Sequence, residues 1–361
     1  MDSFNEAFTD LADRVQQQAQ AIDISRFPVS ARNAYFKAAS YFRSADFYLH
    51  GNWSDPRINS LWDKQLAAFD KALALLPVPG ERVVLKGCNF SIPAIFYSTG
   101  LPGKQPTLIL GNGYDGSQEE LYHVWVKAAL ERGMNVITYE GPGQPTVRRQ
   151  QDLGFIPNWE AVVTPVVDYV LTRKEVDADA LGLVGLSFGG YLAPRAAAFE
   201  HRLAAVMAVD GLFNPGIQTL LQFPPEMQAM FNSSNATGFS FYMNQFLASP
   251  DAETSVIWAI QQGEWAFKGP TPFEWLSKWV TYDLSDVVDK ITVPVFVGDP
   301  EDDMFFAGQP KLLVDHLGSL ATHHVFESAY GAGEHCSLGA SILQNQVIFD
   351  WFQDLVSKGK Q

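Results

Sequence analysis

Cysteine is nearly absent from this chain: Cys88 and Cys336 are the two in 361 residues. Two distant thiols in a chain long enough to bury its own core do not make a disulfide framework, and reduced cytosolic thiols are the expectation. Charge is scarce too, at 18% of residues, and it leans acidic, with 25 Lys+Arg against 40 Asp+Glu. The net charge of −15 provides no basic face for phosphates, which argues against a nucleic-acid or anionic-membrane partner. No apolar run reaches the roughly 18 residues of a membrane span. The opening MDSFNEAFTD has neither a basic n-region nor an apolar h-region, so no secretory signal and a cytoplasmic location are expected. The sequons at Asn52, Asn89, Asn232 and Asn235 are then chance matches. Neither H-E-x-x-H nor paired Cys/His spacing occurs, so no metal site is expected. Internal repeats and low-complexity tracts are also missing.

Aromatic residues are what the chain has in excess: 26 Phe, 12 Tyr and 9 Trp. Disordered chains are poor in rings and rich in charge, so that class is ruled out. Some of the rings are expected to line a pocket for a hydrophobic or aromatic small molecule.

Residues 1–77 read as a helical element. Phe4, Phe8, Leu11 and Val15 recur at helical spacing, a second helix is expected over about 31–49 and a third over about 59–75. After Pro77, short apolar runs alternate with helical stretches. Strands are expected at Glu81–Leu85, Ser91–Tyr97, Thr107–Leu110, Asn135–Tyr139, Gly182–Gly185, Ala204–Val209, Val293–Val297 and His324–Glu327. Such alternation implies βαβ units and a mostly parallel sheet, with the first two strands as an antiparallel hairpin. The alternation stops between about 213 and 291, a stretch dense in Phe, Trp and Met that reads as an inserted helical cap. The core is thus divided into 78–212 and 292–361.

Gly185-Leu186-Ser187-Phe188-Gly189 is a G-x-S-x-G between an apolar strand and a helix. A nucleophile on so tight a turn needs neighbours without a Cβ, and the following helix N-terminus favours developing negative charge. Ser187 is therefore the candidate nucleophile. In this strand–turn–helix context the acid and the base should follow in that order along the chain. Asp299, Glu301, Asp302 and Asp303 compete in the loop after Val293–Val297. Asp302 is favoured, because an acid, one residue and then apolar residues is the usual arrangement; Asp303 is the runner-up, and Asp299 and Glu301 look like solvated neighbours. Among seven histidines, His335 alone stands in a Gly-rich loop after the last strand, and it is the candidate base. Two backbone N–H groups should hold an oxyanion: Phe188, directly after the serine, and Tyr114 in Gly111-Asn112-Gly113-Tyr114-Asp115-Gly116-Ser117, where Tyr114 also faces substrate. Asp210, at the end of Ala204–Val209, could orient substrate or tune His335, or merely cap the next helix. Arg43 and Asp46 read as an interdomain polar contact. A dinucleotide reading of the Gly111 loop is poor, and no cofactor is called for. Glu140-Gly141-Pro142-Gly143-Gln144 reads as a tight structural loop.

With these residues placed, the chain resembles an α/β-hydrolase, and a particular branch of that family. The carriers are Tyr35–Leu49 with Asp55-Pro56-Arg57, Glu140–Gln144, Gly189–Arg195 and Gly331–Cys336. The branch includes FrsA-like esterases, the bacterial dihydroxypseudooxynicotine hydrolase, and fungal polyketide hydrolases of the yellowish-green pigment and fusarin pathways. The resemblance implies a serine hydrolase cleaving a C–C bond by retro-Claisen chemistry, or an ester or lactone, in a polyketide-derived molecule. Cyclisation on the same scaffold without net hydrolysis and a non-enzymatic binding protein are the alternatives. A homodimer is left open.

Overall fold

The computed structural model describes residues 1–358. Three helices come first: α1 (Asp2–Ala21), α2 (Pro28–Asp46) and α3 (Arg57–Leu73). On α2, Tyr35, Ala38, Phe42 and Ala45 are buried at three- and four-residue spacing. On α1 the buried stripe is instead Asn5, Ala12, Val15 and Ala19, while Phe4 and Leu11 are exposed. Small alanines let α1 lie close on α2, and the Asn5 amide donates to the Ala45 carbonyl at 2.8 Å.

The eight strands are β1 (Glu81–Lys86), β2 (Ser91–Tyr97), β3 (Gln105–Gly111), β4 (Asn135–Tyr139), β5 (Val176–Leu186), β6 (Ala205–Val209), β7 (Val295–Pro300) and β8 (Ala321–Phe326). They form one sheet in the order β1-β2-β4-β3-β5-β6-β7-β8. β1 and β2 pair antiparallel, as do β2 and β4; all later neighbours are parallel. Central β4 and β6 are buried at every position, as a sheet covered on both faces requires.

Between the strands lie α4 (Lys127–Glu131), entered through a π-helical turn at Tyr122–Val126, then α5 (Pro145–Gln151), α6 (Glu160–Leu171) and α7 (Gly189–Ala197). α5 falls where the sequence reading stops at a loop. The insertion between β6 and β7 holds five helices, α8 (Pro215–Gln222), α9 (Pro225–Asn232), α10 (Ala236–Leu247), α11 (Thr254–Phe267) and α12 (Pro272–Trp279). α13 (Gln309–Leu317) and α14 (Ser341–Lys358) complete the core. This is the α/β-hydrolase fold, with helices before the sheet and a helical cap inserted between core strands. Among the described residues, no helix is long and apolar enough to cross a membrane.

The parallel strands β3, β5, β6, β7 and β8 share one carboxyl end. There the Gly111–Ser117 loop, Ser187, Asp210, the 301–303 acidic turn and the His335 loop converge, which is where open α/β sheets place their ligands.

Candidate active site

β5 runs straight into Ser187, and α7 begins two residues later. Ser187 has φ +56°, in the left-handed region, and the turn is closed by Gly190 N–H donating to the Ser187 carbonyl at 2.7 Å. A Cβ at Gly185 would collide with the Gly189 carbonyl, and one at Gly189 would crowd the Asn112 and Gly111 carbonyls at 3.1 and 3.2 Å. Such a strained serine persists only where the surroundings over-determine it, as at functional sites.

His335 meets this serine: its Nε2 lies 2.8 Å from Ser187 Oγ. On the other side, its Nδ1 lies 3.0 Å from Asp303 Oδ2 and 3.0 Å from Asp210 Oδ2. With Nδ1–H donated to carboxylate, Nε2 is free to accept the serine proton. Burial alone would lower the His335 pKa, but the charge of Asp210 and the hydrogen bond and charge of Asp303 outweigh it, and the pKa is raised.

The preference for Asp302 is corrected here. Its exposed carboxylate accepts the Ser328 hydroxyl, and its backbone N–H is tied to the Gly333 carbonyl at 2.8 Å, so the side chain points away from His335. Asp303 turns inward: Oδ1 accepts the N–H groups of Phe305 and Phe306 at 2.8 and 3.2 Å, leaving Oδ2 for the imidazole. Asp299 pairs with His323 at 2.8 Å, and Glu301 accepts Ser328 N–H at 2.8 Å.

Asp210 is corrected as a substrate contact. It is fully buried and takes no part in lining the cavity. It accepts Cys336 N–H at 2.8 Å and the Cys336 thiol at 2.8 Å, besides facing His335. Burial pushes its carboxyl up to about 6, against the pull of His335 and with the push of Asp303. Asp210, His335 and Cys336 bring three potential metal-ligating atoms within 4.8 Å of one another. They already satisfy each other, and burial with the neighbouring Asp210 charge pushes the thiol well above its usual range, which keeps it a poor ligand.

The Gly111–Ser117 loop lies against the serine turn. A Cβ at Gly113 would stand 2.8 Å from Phe188 N and 2.9 Å from Ser187 Cβ, so only glycine lets the loop come this close. The N–H groups of Phe188 and Tyr114 have no protein acceptor among the described residues. The ring of Tyr114 lines the cavity, but its hydroxyl donates to the Ala259 carbonyl of α11 at 2.9 Å.

A cavity of about 430 Å³ opens over Ser187 and His335. Its walls come from the cap (Phe223, Met243, Trp275 and Trp279) and from Phe305 and Phe306 after the acidic turn. That volume suits one drug-sized ligand, and the lining is mainly apolar. Asp115 also reaches this cavity; the sequence reading names it and Gln144 only as members of their loops, gives neither a role, and does not single out the buried amide of Gln262. For Gln144 a signal existed: it follows the carboxyl end of a core strand, where this fold gathers its site.

Residues 108–341 match the model of the alpha/beta hydrolase family. Hydrolase LUC6 of Fusarium sp is 30% identical, the match covering 89% of this chain and 80% of that protein. The 20-hydroxy-prefusarin hydrolase FUS2 of Gibberella moniliformis is 27% identical, with 97% and 87% covered. Among solved structures, 2,6-dihydroxy-pseudo-oxynicotine hydrolase superposes with a TM-score of 0.76 at 22% identity, covering 99% of this chain and 89% of the other. At that identity the likeness speaks for the fold alone.

Proposed function

The chain belongs to the α/β-hydrolase family, and on that premise we propose that it cleaves a C–C bond by a retro-Claisen route, or an ester or lactone bond, in a polyketide-derived small molecule of secondary metabolism. The observation that carries this reading is the relay from Ser187 Oγ through His335 to a buried carboxylate, opening under an aromatic cap. The naming of fungal relatives as hydrolases, one of them of a prefusarin, supports the substrate class.

In this reading His335 Nε2 takes the Ser187 proton as Oγ attacks the substrate carbonyl. The tetrahedral oxyanion sits against the N–H groups of Phe188 and Tyr114. The intermediate collapses with the bond to the leaving group breaking. His335 returns the proton to the departing enolate carbon or alkoxide oxygen, and water, deprotonated by His335, releases the acyl group from Ser187. A β-diketone fits this route because its leaving carbanion is stabilised as an enolate. Asp303 fixes the imidazole tautomer. Trp275 and Trp279 offer flat apolar faces to a conjugated chain.

The test is incubation with a pooled fungal polyketide extract, following masses. Gain of water, or appearance of two fragments that sum to substrate plus water, is the expected outcome, abolished in Ser187→Ala. A product of unchanged mass, or one that has lost water, would point to cyclisation instead. Turnover by Ser187→Ala at the wild-type rate would overturn the nucleophile assignment.

A further inference from the structure

Four consecutive backbone carbonyls of the loop after β3 are held by side chains from three parts of the molecule. The Gln144 amide, from the loop after β4, donates to the Asn112 carbonyl at 2.7 Å and leans on the Gly113 carbonyl at 3.4 Å. Gln262, from cap helix α11, donates to the Tyr114 carbonyl at 3.2 Å. Arg43, from α2, donates to the Asp115 carbonyl at 2.8 Å. Asn112 Oδ1 takes the Gly113 N–H at 2.9 Å, so the peptides on either side of Gly113–Tyr114 are both fixed.

A trans peptide points its C=O and N–H in opposite directions. The Gly113 carbonyl shares its peptide with the Tyr114 N–H, so its lean toward Gln144 turns that N–H the other way, toward the serine turn against which Gly113 is packed, while the bonds to the Asn112 and Tyr114 carbonyls hold the two flanking peptides. We infer that Gln144 is a positioning residue that sets the direction of the Tyr114 N–H, assisted by Gln262. The inference rests on the reading of Ser187 and its oxyanion donors given above.

Each donor is itself oriented. Gln144 is fully buried, and its Oε1 accepts Gly141 N–H at 2.8 Å, which turns its NH₂ toward the loop. Gln262 Oε1 lies 2.5 Å from His50 Nδ1 and must accept a proton there. His50 is then the Nδ1–H tautomer, leaving its Nε2 to accept from Arg149 at 3.1 Å. The imidazole is stacked on Trp265 of the same cap helix, with ring centroids 4.1 Å apart. Arg43 also bonds the Glu120 carboxylate at 3.0 Å, and Glu120 in turn accepts Ser117 N–H at 2.6 Å, which closes the far end of the loop. The N-terminal helices and the cap thus meet at one short loop.

The test replaces Gln144 by methionine, of similar size but without a donor, and measures labelling of Ser187 by an alkyl fluorophosphonate, whose phosphoryl oxygen becomes negatively charged as the serine adds. Loss of a whole oxyanion donor costs about 10²–10³ in rate. A misdirected one should lower the maximal labelling rate by at least about tenfold, with the half-saturating probe concentration within about twofold and the melting temperature close to wild type. Gln262→Met, which touches the same loop from the cap, should lower the rate in the same sense, and it carries the test if Gln144→Met does not fold. Labelling of the variants at the wild-type rate, or a loss confined to probe affinity, would overturn the inference. Wild-type protein that is not labelled at Ser187 would instead sink the nucleophile reading on which it stands.

Discussion

The carboxylates of Asp210 and Asp303 each lie 3.0 Å from one atom, Nδ1 of His335, and they come from the ends of adjacent strands. One N–H faces two acids, so an imidazolium formed by the proposed chemistry would lie beside two carboxyl groups. His335 and Asp210, this close, titrate together and not as separate residues.

A pH profile reads this directly. His335 must be neutral to accept a proton, and its pKa is raised above the ordinary 6.5, so kcat/KM should rise with pH along a limb centred above that value. Burial pushes the Asp210 carboxyl up to about 6, so protons binding to it and to His335 together should make the limb steeper than for one group. Asp210→Asn removes an anion that favours imidazolium; the limb should move to lower pH and flatten to a single-proton slope. A limb that stays in place in the variant would show that Asp210 does not act on His335.

The choice between neighbouring acids is equally open to measurement. Asp303→Asn should lower kcat by about 10²–10⁴, since loss of the orienting acid in a serine triad is of that order. Asp302→Asn loses a surface contact with Ser328 and should stay within about threefold, as surface changes away from the chemistry usually do. Steady-state kinetics on any ester that the protein turns over will rank them, and the reverse order would restore Asp302.

Gly113 offers a steric test. Alanine there sets a methyl against Phe188 N and Ser187 Cβ, both held by the serine turn. The loop must retreat, carrying the Tyr114 N–H with it, and kcat should fall about 10²-fold. Kinetics paired with thermal melting separates this from general unfolding; an unchanged kcat would mean that the loop does not serve the oxyanion.

Stability depends on a buried pair remote from the serine. Arg149 donates to Asp46 at 2.6 Å, with both side chains almost wholly buried. Arg149→Met leaves Asp46 with weaker compensation from His50 and Arg43, and should cost about 3–5 kcal/mol in urea unfolding at neutral pH. The folded-state pKa of Asp46 is depressed: burial opposes ionisation, but Arg149, His50 and Arg43 together outweigh it. Its contribution is therefore present above the ordinary 3.8 and is lost as pH falls through the lower folded-state value. The gap between variant and wild type should narrow in acid. A gap that is absent at pH 7 would show the pair to be neutral for folding.

Much of this architecture was legible in the sequence because it is periodic. Buried strands such as Ala205–Val209 are continuous apolar runs, and the glycines around Ser187 mark the turn. What escaped depends on where a turn points a side chain. Asp302 and Asp303 are adjacent acids, and only the tie of Asp302 to Gly333 and Ser328 decides which faces inward. The exposed Phe4 and Leu11 show the same limit, since hydrophobic spacing did not reveal that alanines make the closer helix contact. The roles of Gln144 and Gln262 could not be read locally, because their partners lie 32 and 148 residues away.

The cap leaves the core after β6 and returns at β7, its neighbour in the sheet, and its two ends are stitched together by Leu284 N–H donating to the Phe213 carbonyl at 3.0 Å. A segment that starts and finishes at almost the same point can change in length and content with little disturbance to the sheet beneath, because closing a longer loop adds only slowly to its entropic cost. Substrate range in such a scaffold can therefore diversify by exchange of a module, with the serine and histidine untouched. A graft would also have to replace the cap's contacts with the Gly111–Ser117 loop, the Gln262 amide on the Tyr114 carbonyl and the Ala259 carbonyl under the Tyr114 hydroxyl.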